Sequence, residues 1–348
     1  MTKRVLIVKL SSMGDIIHTL PALTDAARAL PGVRFDWVVE EGFCDIPVWH
    51  SAVEDILPVA LRRWRRGRLP VREIAGFLKQ LRSRHYDAVI DAQGLMKSAV
   101  IARLSRGCVH GLSKRLCREP HAHRFYHHTH DVGEGLHAIA RTRRLFADTL
   151  GYQRPVGLPD YGFRPDQILN EKSQPYLVFI HGTTWATKHW PEAYWVALAK
   201  QAGDAGYRVK IPSGISEAEQ MRAAKIAAAH DLCEQLPPNS IVDMASVLQA
   251  ARAVVAVDTG FAHLAAALNV PTVALYGPTD PQKVGTQGAH QAHLIADFAC
   301  APCAQEVCNF RGQASQTPAC FGTLTPEIVW SKLLSSGASF RDPLQDQE

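Results

Sequence analysis

Short, continuous apolar runs punctuate the chain at 5–10, 34–39 and 87–91, and again at 176–181, 207–211, 253–257 and 272–276. An apolar run of this length without polar alternation is the pattern of a parallel strand buried on both faces. Between the runs, apolar residues recur at helical spacing over 18–30, 192–205, 217–230 and 261–268. Strand–helix alternation of this kind predicts an α/β fold with parallel sheets. The alternation stops over 154–175, where Pro155, Pro159, Pro165 and Pro175 break a polar stretch. We therefore expect one domain over 1–160 and a second over 161–325. A last helical pattern at 326–334 opens a terminal segment, 326–348, expected to pack back on the first domain and to fray at its end. Two such halves make a cleft at the carboxyl ends of their strands, where α/β folds take ligands.

Composition changes this picture only by exclusion. A length of 348 residues suits two domains. The balance of 38 basic against 33 acidic residues, a formal +5, is too weak for a dedicated nucleic-acid binder. No apolar stretch approaches the ~20 residues of a membrane-spanning helix. The first run is interrupted by Lys9 and is too short for a secretory signal, so a cytoplasmic location is expected. The 8 cysteines would then stay reduced.

Candidate chemistry lies just after three of the strands. Lys9-Leu10-Ser11-Ser12-Met13-Gly14-Asp15 brings backbone N–H groups, hydroxyls and one carboxylate to a strand end. With one glycine and no Gly-Lys-Ser/Thr it is neither a dinucleotide fingerprint nor a phosphate loop. Taken alone, Asp15 reads more simply as the cap of the helix that follows. His181-Gly182-Thr183-Thr184 and Lys188 occupy the corresponding position of the second half. Two hydroxyls and an ammonium there suit an anionic phosphate, or else cap a helix and meet solvent. Asp258-Thr259-Gly260, with His263 in the first turn of a small-residue helix, offers N–H groups and the positive end of a helix dipole to a diphosphate. For His263 alone, an ordinary structural histidine is the simpler reading.

Taken together, these blocks resemble a known family. Asp258-Thr259-Gly260 with His263, Ala265-Ala266-Ala267, Pro271 and Tyr276-Gly277-Pro278-Thr279-Asp280-Pro281 is similar to the signature of the bacterial lipopolysaccharide heptosyltransferases. The amino-terminal block from Lys9 to Ala26, Arg62-Arg63-Trp64-Arg65-Arg66 and Lys188-His189-Trp190-Pro191 resemble the members that add the first heptose. The resemblance implies a GT-B glycosyltransferase: two Rossmann-like domains, the first for the acceptor and the second for the donor. Its implied reaction moves L-glycero-D-manno-heptose from ADP-heptose to the inner Kdo of Kdo2-lipid A. Carried over residue by residue, Asp15 is the catalytic base. Thr183, Thr184, Lys188, Glu219, Asp258, Thr259, Gly260 and His263 contact the donor, with Glu217 an alternative to Glu219. Ser12, Arg62, Arg63, Arg65, Arg66 and Arg118 meet the acceptor. No cofactor or metal is implied, and the chain has no Asp-x-Asp pair to cradle a nucleotide-bound cation. An inverting, metal-independent displacement is the expected mechanism. A transferase of the same family with another acceptor, or a non-catalytic nucleotide-sugar or lipid-binding module, are the alternatives.

Three clusters stand outside the donor signature. Between Arg62 and Arg84 the basic residues face a single acid, Glu73, with Trp64 among them. A solvated helix face is the usual meaning of such a run. Here its one-sidedness suggests an anionic membrane surface as partner, hence a peripheral position on the cytoplasmic face of the inner membrane. Cys300-x2-Cys303-x4-Cys308, with Cys320 beyond, has spacing compatible with zinc but reads more simply as reduced thiols or an adventitious disulfide. His121, His123, His127, His128 and His130 crowd one region, which reads more simply as a solvated loop than as a metal site.

Overall fold

The computed structural model describes residues 3–67, 70–163 and 175–336. It divides the chain into two compact units, 1–167 and 168–348. The division falls within 164–174, outside the described residues.

The first unit holds β1 (Arg4–Val8), β2 (Arg34–Glu40), β3 (Val53–Val59), β4 (Tyr86–Asp91), β5 (Gly107–Leu112) and β6 (His128–His130). They form one sheet in the order β3-β2-β1-β4-β5-β6, with each neighbouring pair parallel. The second holds β7 (Tyr176–Ile180), β8 (Arg208–Pro212), β9 (Cys233–Leu236), β10 (Ala253–Val257), β11 (Thr272–Tyr276) and β12 (Gln291–Ile295). Their order is β12-β11-β10-β7-β8-β9, again parallel throughout. Both are doubly wound α/β sheets, as the alternation predicts.

The strands that the apolar runs predict are the inner ones, β1, β2 and β4 in one sheet and β7, β8, β10 and β11 in the other. Val5 to Val8 and Ala253 to Val257 are wholly buried. Each valine, leucine or isoleucine among them contributes about 1.5–3 kcal/mol of transfer free energy. The runs do not predict β3, β5, β6, β9 and β12, which lie toward the sheet edges with partly exposed residues. A strand half open to water carries polar side chains and loses the continuous apolar signature. The predicted helix over 18–30 is two, Met13–Ile17 and Leu20–Ala29, meeting at His18 and Thr19.

The terminal helix corrects an expectation. Helix Pro326–Ser335 buries Val329 and Leu333 in the second unit's own core, beside Trp190, Leu198 and Val273. Trp330 meets Tyr207 edge-on, and Trp190 Nε1 donates to the carbonyl of Leu324 at 2.8 Å. This packing takes up the helix's apolar face within its own unit, where the expectation had placed it on the first domain. The tail expected to fray, 337–348, lies outside the described residues. No helix among the described residues is long and apolar enough to cross a membrane.

Candidate active site

The Asp15 loop is held by groups on two neighbouring strands. Gln93, just past β4, accepts the Leu10 N–H through Oε1 at 2.7 Å and donates Nε2 to the Ser11 carbonyl at 2.8 Å. Gln93 is itself set by Asp91, whose Oδ1 accepts the N–H groups of Gln93 and Gly94 at 2.9 and 3.1 Å. Asp91 Oδ2 accepts the hydroxyls of Ser98 and Tyr126, at 2.9 and 2.6 Å. Burial raises the Asp91 pKa even against these bonds. Asp91 is thus a buried fastening, and the sheet end it fixes carries the loop above.

Asp15 has two jobs within that loop. Its Oδ2 accepts the Ser12 N–H and hydroxyl, both at 3.1 Å, and so caps helix Met13–Ile17. Its Oδ1 lies 3.4 Å from the Lys9 ammonium, which also donates to the Ala92 carbonyl at 3.0 Å. The cap reading and the functional one are therefore compatible: the Asp15 side chain is 29% exposed, whereas Lys9 is 7%. Burial opposes ionisation of Asp15, but Lys9, His18 and the Ser12 bonds outweigh it and hold the carboxyl well below the usual range. The group is a carboxylate at every working pH.

Basic residues of the first unit gather in two places. Burial pulls the Arg141 guanidinium down, with Asp15 opposing and Arg118 adding to the effect, so these three charges share one neighbourhood. Burial likewise lowers Lys97, which senses Arg65, Glu40, Arg62 and Glu119. Arg62, Arg65, Arg66 and Arg118 are exposed. Arg63 differs: its guanidinium pairs with Glu41 at 3.0 Å and Glu73 at 2.5 Å, so its charge is spent internally. Trp64 is buried against Phe77 in the core, which corrects its suggested part in a membrane-facing surface. Lys97 and Arg141 were not singled out from the sequence, and Lys9, Asp91 and Gln93, which lie in blocks that carry the resemblance, were given no role of their own.

In the second unit Asp258 organises the site. It sits at the end of β10 and is 5% exposed. Oδ2 lies 2.7 Å from Lys188 Nζ and accepts the Thr279 hydroxyl at 2.8 Å, while Oδ1 lies 3.6 Å from His263 Nε2. Its backbone carbonyl accepts the Thr183 hydroxyl at 3.1 Å. Burial opposes the charge, but the His263 hydrogen bond and the Lys188 charge outweigh it, so Asp258 is held well below the usual carboxylate range. Lys188 also lies over the Trp185 ring at 4.4 Å. Thr259 and Gly260 open helix Gly260–Ala267, and Thr184 is exposed on the loop after β7. The first N–H groups of a helix have no partner within it, so this corner presents an ammonium, an imidazole and free donors to an anion.

Glu219 stands apart, over the ends of β7 and β8. A Cβ at Gly182 would come 3.0 Å from its Oε1, and one at Gly214 would clash with its Oε2 at 2.1 Å. Two glycines therefore make room for this carboxylate, which also accepts the Ser216 hydroxyl at 2.9 Å. Glu217 is exposed on the first turn of the same helix. Of the two, Glu219 is the one that lies against the ends of β7 and β8.

The profile of glycosyltransferase family 9 (heptosyltransferase) matches residues 74–313. Lipopolysaccharide heptosyltransferase 1 of Pseudomonas aeruginosa is 50% identical over 344 residues, covering 95% of this chain and 97% of that protein. The E. coli heptosyltransferase WaaC with ADP superposes with a TM-score of 0.82 at 42% identity, covering 96% of this chain and 99% of that one. The same enzyme with ADP-2-deoxy-2-fluoro heptose gives 0.81, covering 95% and 99%. The E. coli lipopolysaccharide heptosyltransferase 2, by contrast, matches only 41% of this chain, at 36% identity. The chain belongs to glycosyltransferase family 9, the heptosyltransferases, and is a glycosyl-transferring enzyme of the GT-B fold.

Proposed function

We propose that this enzyme transfers L-glycero-D-manno-heptose from ADP-heptose to the inner Kdo of Kdo2-lipid A, the first heptose of the lipopolysaccharide core. The observation that carries the donor assignment is the grip of Asp258 on Lys188 and His263 at a helix start. That arrangement fixes an ammonium and an imidazole beside a helix start, which supports a diphosphate leaving there. The acceptor hydroxyl oxygen attacks the anomeric carbon as the bond to the ADP oxygen breaks. Its proton passes to Asp15, and ADP departs with inversion. The preformed Lys188 ammonium, the His263 imidazole and helix N–H groups then stabilise the leaving group without a nucleotide-bound metal. Relatives named heptosyltransferase 1 match 79–95% of the chain, and this supports the first-heptose reaction over the second.

Asp15 acts here as an ionised but weakly basic carboxylate. Lys9 keeps it deprotonated before reaction, and its proton affinity becomes useful only as the acceptor hydroxyl grows acidic in the transition state. Lys188 and His263 meet the diphosphate, and Thr183, Thr184, Thr259 and Gly260 line the same corner. Glu219 meets the nucleotide end of the donor. Arg62, Arg65, Arg66 and Arg118 receive the anionic acceptor, with Ser12 beside the base, and the exposed arginines hold the enzyme peripherally on the inner membrane's cytoplasmic face.

Incubation with ADP-heptose and delipidated Kdo2-lipid A tests the reading. A mass gain of one heptose on the acceptor supports it. Transfer only to an acceptor that already carries one heptose would reassign the enzyme to the second step. Release of ADP without acceptor product would leave only donor hydrolysis.

A further inference from the structure

The Lys188 ammonium has two partners of unlike kind. Asp258 Oδ2 lies 2.7 Å from Nζ, and the centroid of the Trp185 ring lies 4.4 Å from it. A cation over an aromatic face within ~6 Å is attracted by the ring's quadrupole, most strongly by tryptophan. The Lys188 side chain is 16% exposed, so little water intervenes to screen that attraction.

Local structure makes the contact. Ala186–Lys188 is a 3-10 turn, and the Lys188 N–H closes it on the Trp185 carbonyl at 3.1 Å. Side chains three residues apart eclipse in such a turn, which brings the indole against the lysine stem. Neighbouring residues anchor the turn to the unit. Thr187 is buried and donates its hydroxyl to the Gln305 carbonyl at 2.6 Å, and Trp190 Nε1 donates to the Leu324 carbonyl at 2.8 Å. Trp185 itself is half-buried and lies outside the core that contains Trp190 and Trp195. Core packing therefore does not account for an indole at this position; the ammonium does.

A neutral aromatic partner suits this ammonium better than a second carboxylate would. A lysine stem carries much rotamer entropy, and one ion pair leaves it room to swing. A second carboxylate would fix the stem but cancel the charge that attracts an anion. The indole fixes it and adds no charge. An ammonium has three donors, and the ring offers no oxygen to occupy those that Asp258 leaves, so they remain for a phosphate.

We propose that Trp185 is a positioning residue for the donor diphosphate. Its indole face and Asp258 together hold the Lys188 ammonium where it meets the diphosphate, so the ring raises donor affinity without touching the donor. The inference rests on the assignment of the diphosphate to Lys188. With the ring gone, the ammonium gains freedom that donor binding must take away again. Donor affinity should then fall about 2–30-fold, the range of one cation–π contact, while the acceptor KM stays unchanged.

The test is calorimetric titration of ADP into the full-length protein carrying tryptophan, or its mono-, di-, tri- or tetrafluoro analogue, at position 185. Fluorine withdraws charge from the ring face stepwise and hardly changes its size. ADP affinity should fall with each fluorine, by about 2–30-fold in all. The KM for ADP-heptose should track it while kcat and the acceptor KM hold steady. Trp185→Leu should match the tetrafluoro ring, and Trp185→Phe should recover part of the loss. Should Trp185→Leu fail to fold, the fluorinated series, which keeps the shape of the side chain, decides. A flat series would overturn the proposal and reduce the ring to packing. In Lys188→Ala the series should be flat; a fluorine dependence that survives there would mean that the ring stacks on the nucleotide itself, which also overturns it. An ADP affinity indifferent to Lys188→Ala would instead refute the diphosphate assignment beneath the proposal, and that arm reads it separately.

Discussion

Lys9→Met removes the buried cation that faces Asp15 and leaves the loop's other bonds in place. The ammonium stands 3.4 Å from Asp15 Oδ1. At an effective dielectric of about 20, that distance bounds the attraction near 5 kcal/mol. An opposite charge so close lowers a carboxyl pKa by about 1–3 units, or roughly 1.4–4 kcal/mol of differential interaction. With Lys9 gone, burial still opposes the charge, and only His18 and the Ser12 bonds favour it. The Asp15 pKa should therefore rise by about 1–3 units.

The sign of the effect is fixed by linkage. Asp15 is depressed in the folded state, so its stabilising contribution is complete above the unfolded carboxylate pKa near 4 and is lost as pH falls below it. In the unaltered enzyme Asp15 contributes no acid limb to the rate across the accessible pH range. In Lys9→Met the carboxyl should rise toward the usual carboxylate range, so the rate between pH 5 and pH 8 should change little and the rise should be read from the carboxyl titration itself. Unfolding free energy in urea should drop by about 1–3 kcal/mol, below the range for a fully buried pair because Asp15 is partly exposed. The measurement is the Asp15 side-chain carboxyl carbon resonance followed by NMR as pH is lowered in both proteins. An unchanged Asp15 titration would refute the claim that Lys9 sets the ionisation of Asp15.

The other predictions concern residues with separable readouts. Asp15→Asn keeps an acceptor for the Ser12 N–H but removes the base, so turnover should fall about 10²–10⁴-fold with donor affinity retained; near-normal turnover would reduce Asp15 to a helix cap. Lys188→Ala should weaken ADP-heptose binding about 10–150-fold by calorimetry, the worth of a charge-assisted bond of 1.5–3 kcal/mol, and leave acceptor affinity intact. Arg62→Glu with Arg65→Glu should raise the acceptor KM and detach the enzyme from anionic vesicles, whereas Arg63→Ala should do neither, since Glu41 and Glu73 already hold that guanidinium. His181 is buried, and burial, with Arg222 adding, lowers its pKa to about 4. Its contribution to stability is therefore complete above pH 6.5 and lost as pH falls toward 4, about 2 kcal/mol between pH 6.5 and 5; His181→Leu should flatten the acid side of the stability curve by that amount, and an unchanged slope would count against it.

Legibility in the sequence followed burial. The central strands were readable because burial on both faces removes polar residues from them, as in the wholly buried Val5 to Val8. The edge strands were not, since β6 consists of His128, Thr129 and His130 and has no apolar signature at all. The terminal helix shows a second limit. Its apolar stripe says that it packs but not on which unit, because the Tyr207 and Trp190 contacts that decide this come from residues more than a hundred positions away.

Charged residues were the hardest to read, for the same reason in sharper form. In the chain, Arg62, Arg63, Arg65 and Arg66 are equivalent members of one basic run. In the fold, Glu41 comes from the far end of β2 to pair Arg63, and Trp64 turns inward, so one run splits into a structural ion pair, a core residue and exposed cations. Asp258 makes the converse point. Its motif marks it as a donor contact, yet both its oxygens are occupied by Lys188, Thr279 and His263. A carboxylate so engaged serves the diphosphate indirectly, by fixing the ammonium and imidazole that would meet it. Asp258→Asn should therefore weaken donor binding through Lys188, and combining it with Lys188→Ala should cost little more than Lys188→Ala alone. Additive losses in that double-mutant cycle would mean that Asp258 touches the donor itself.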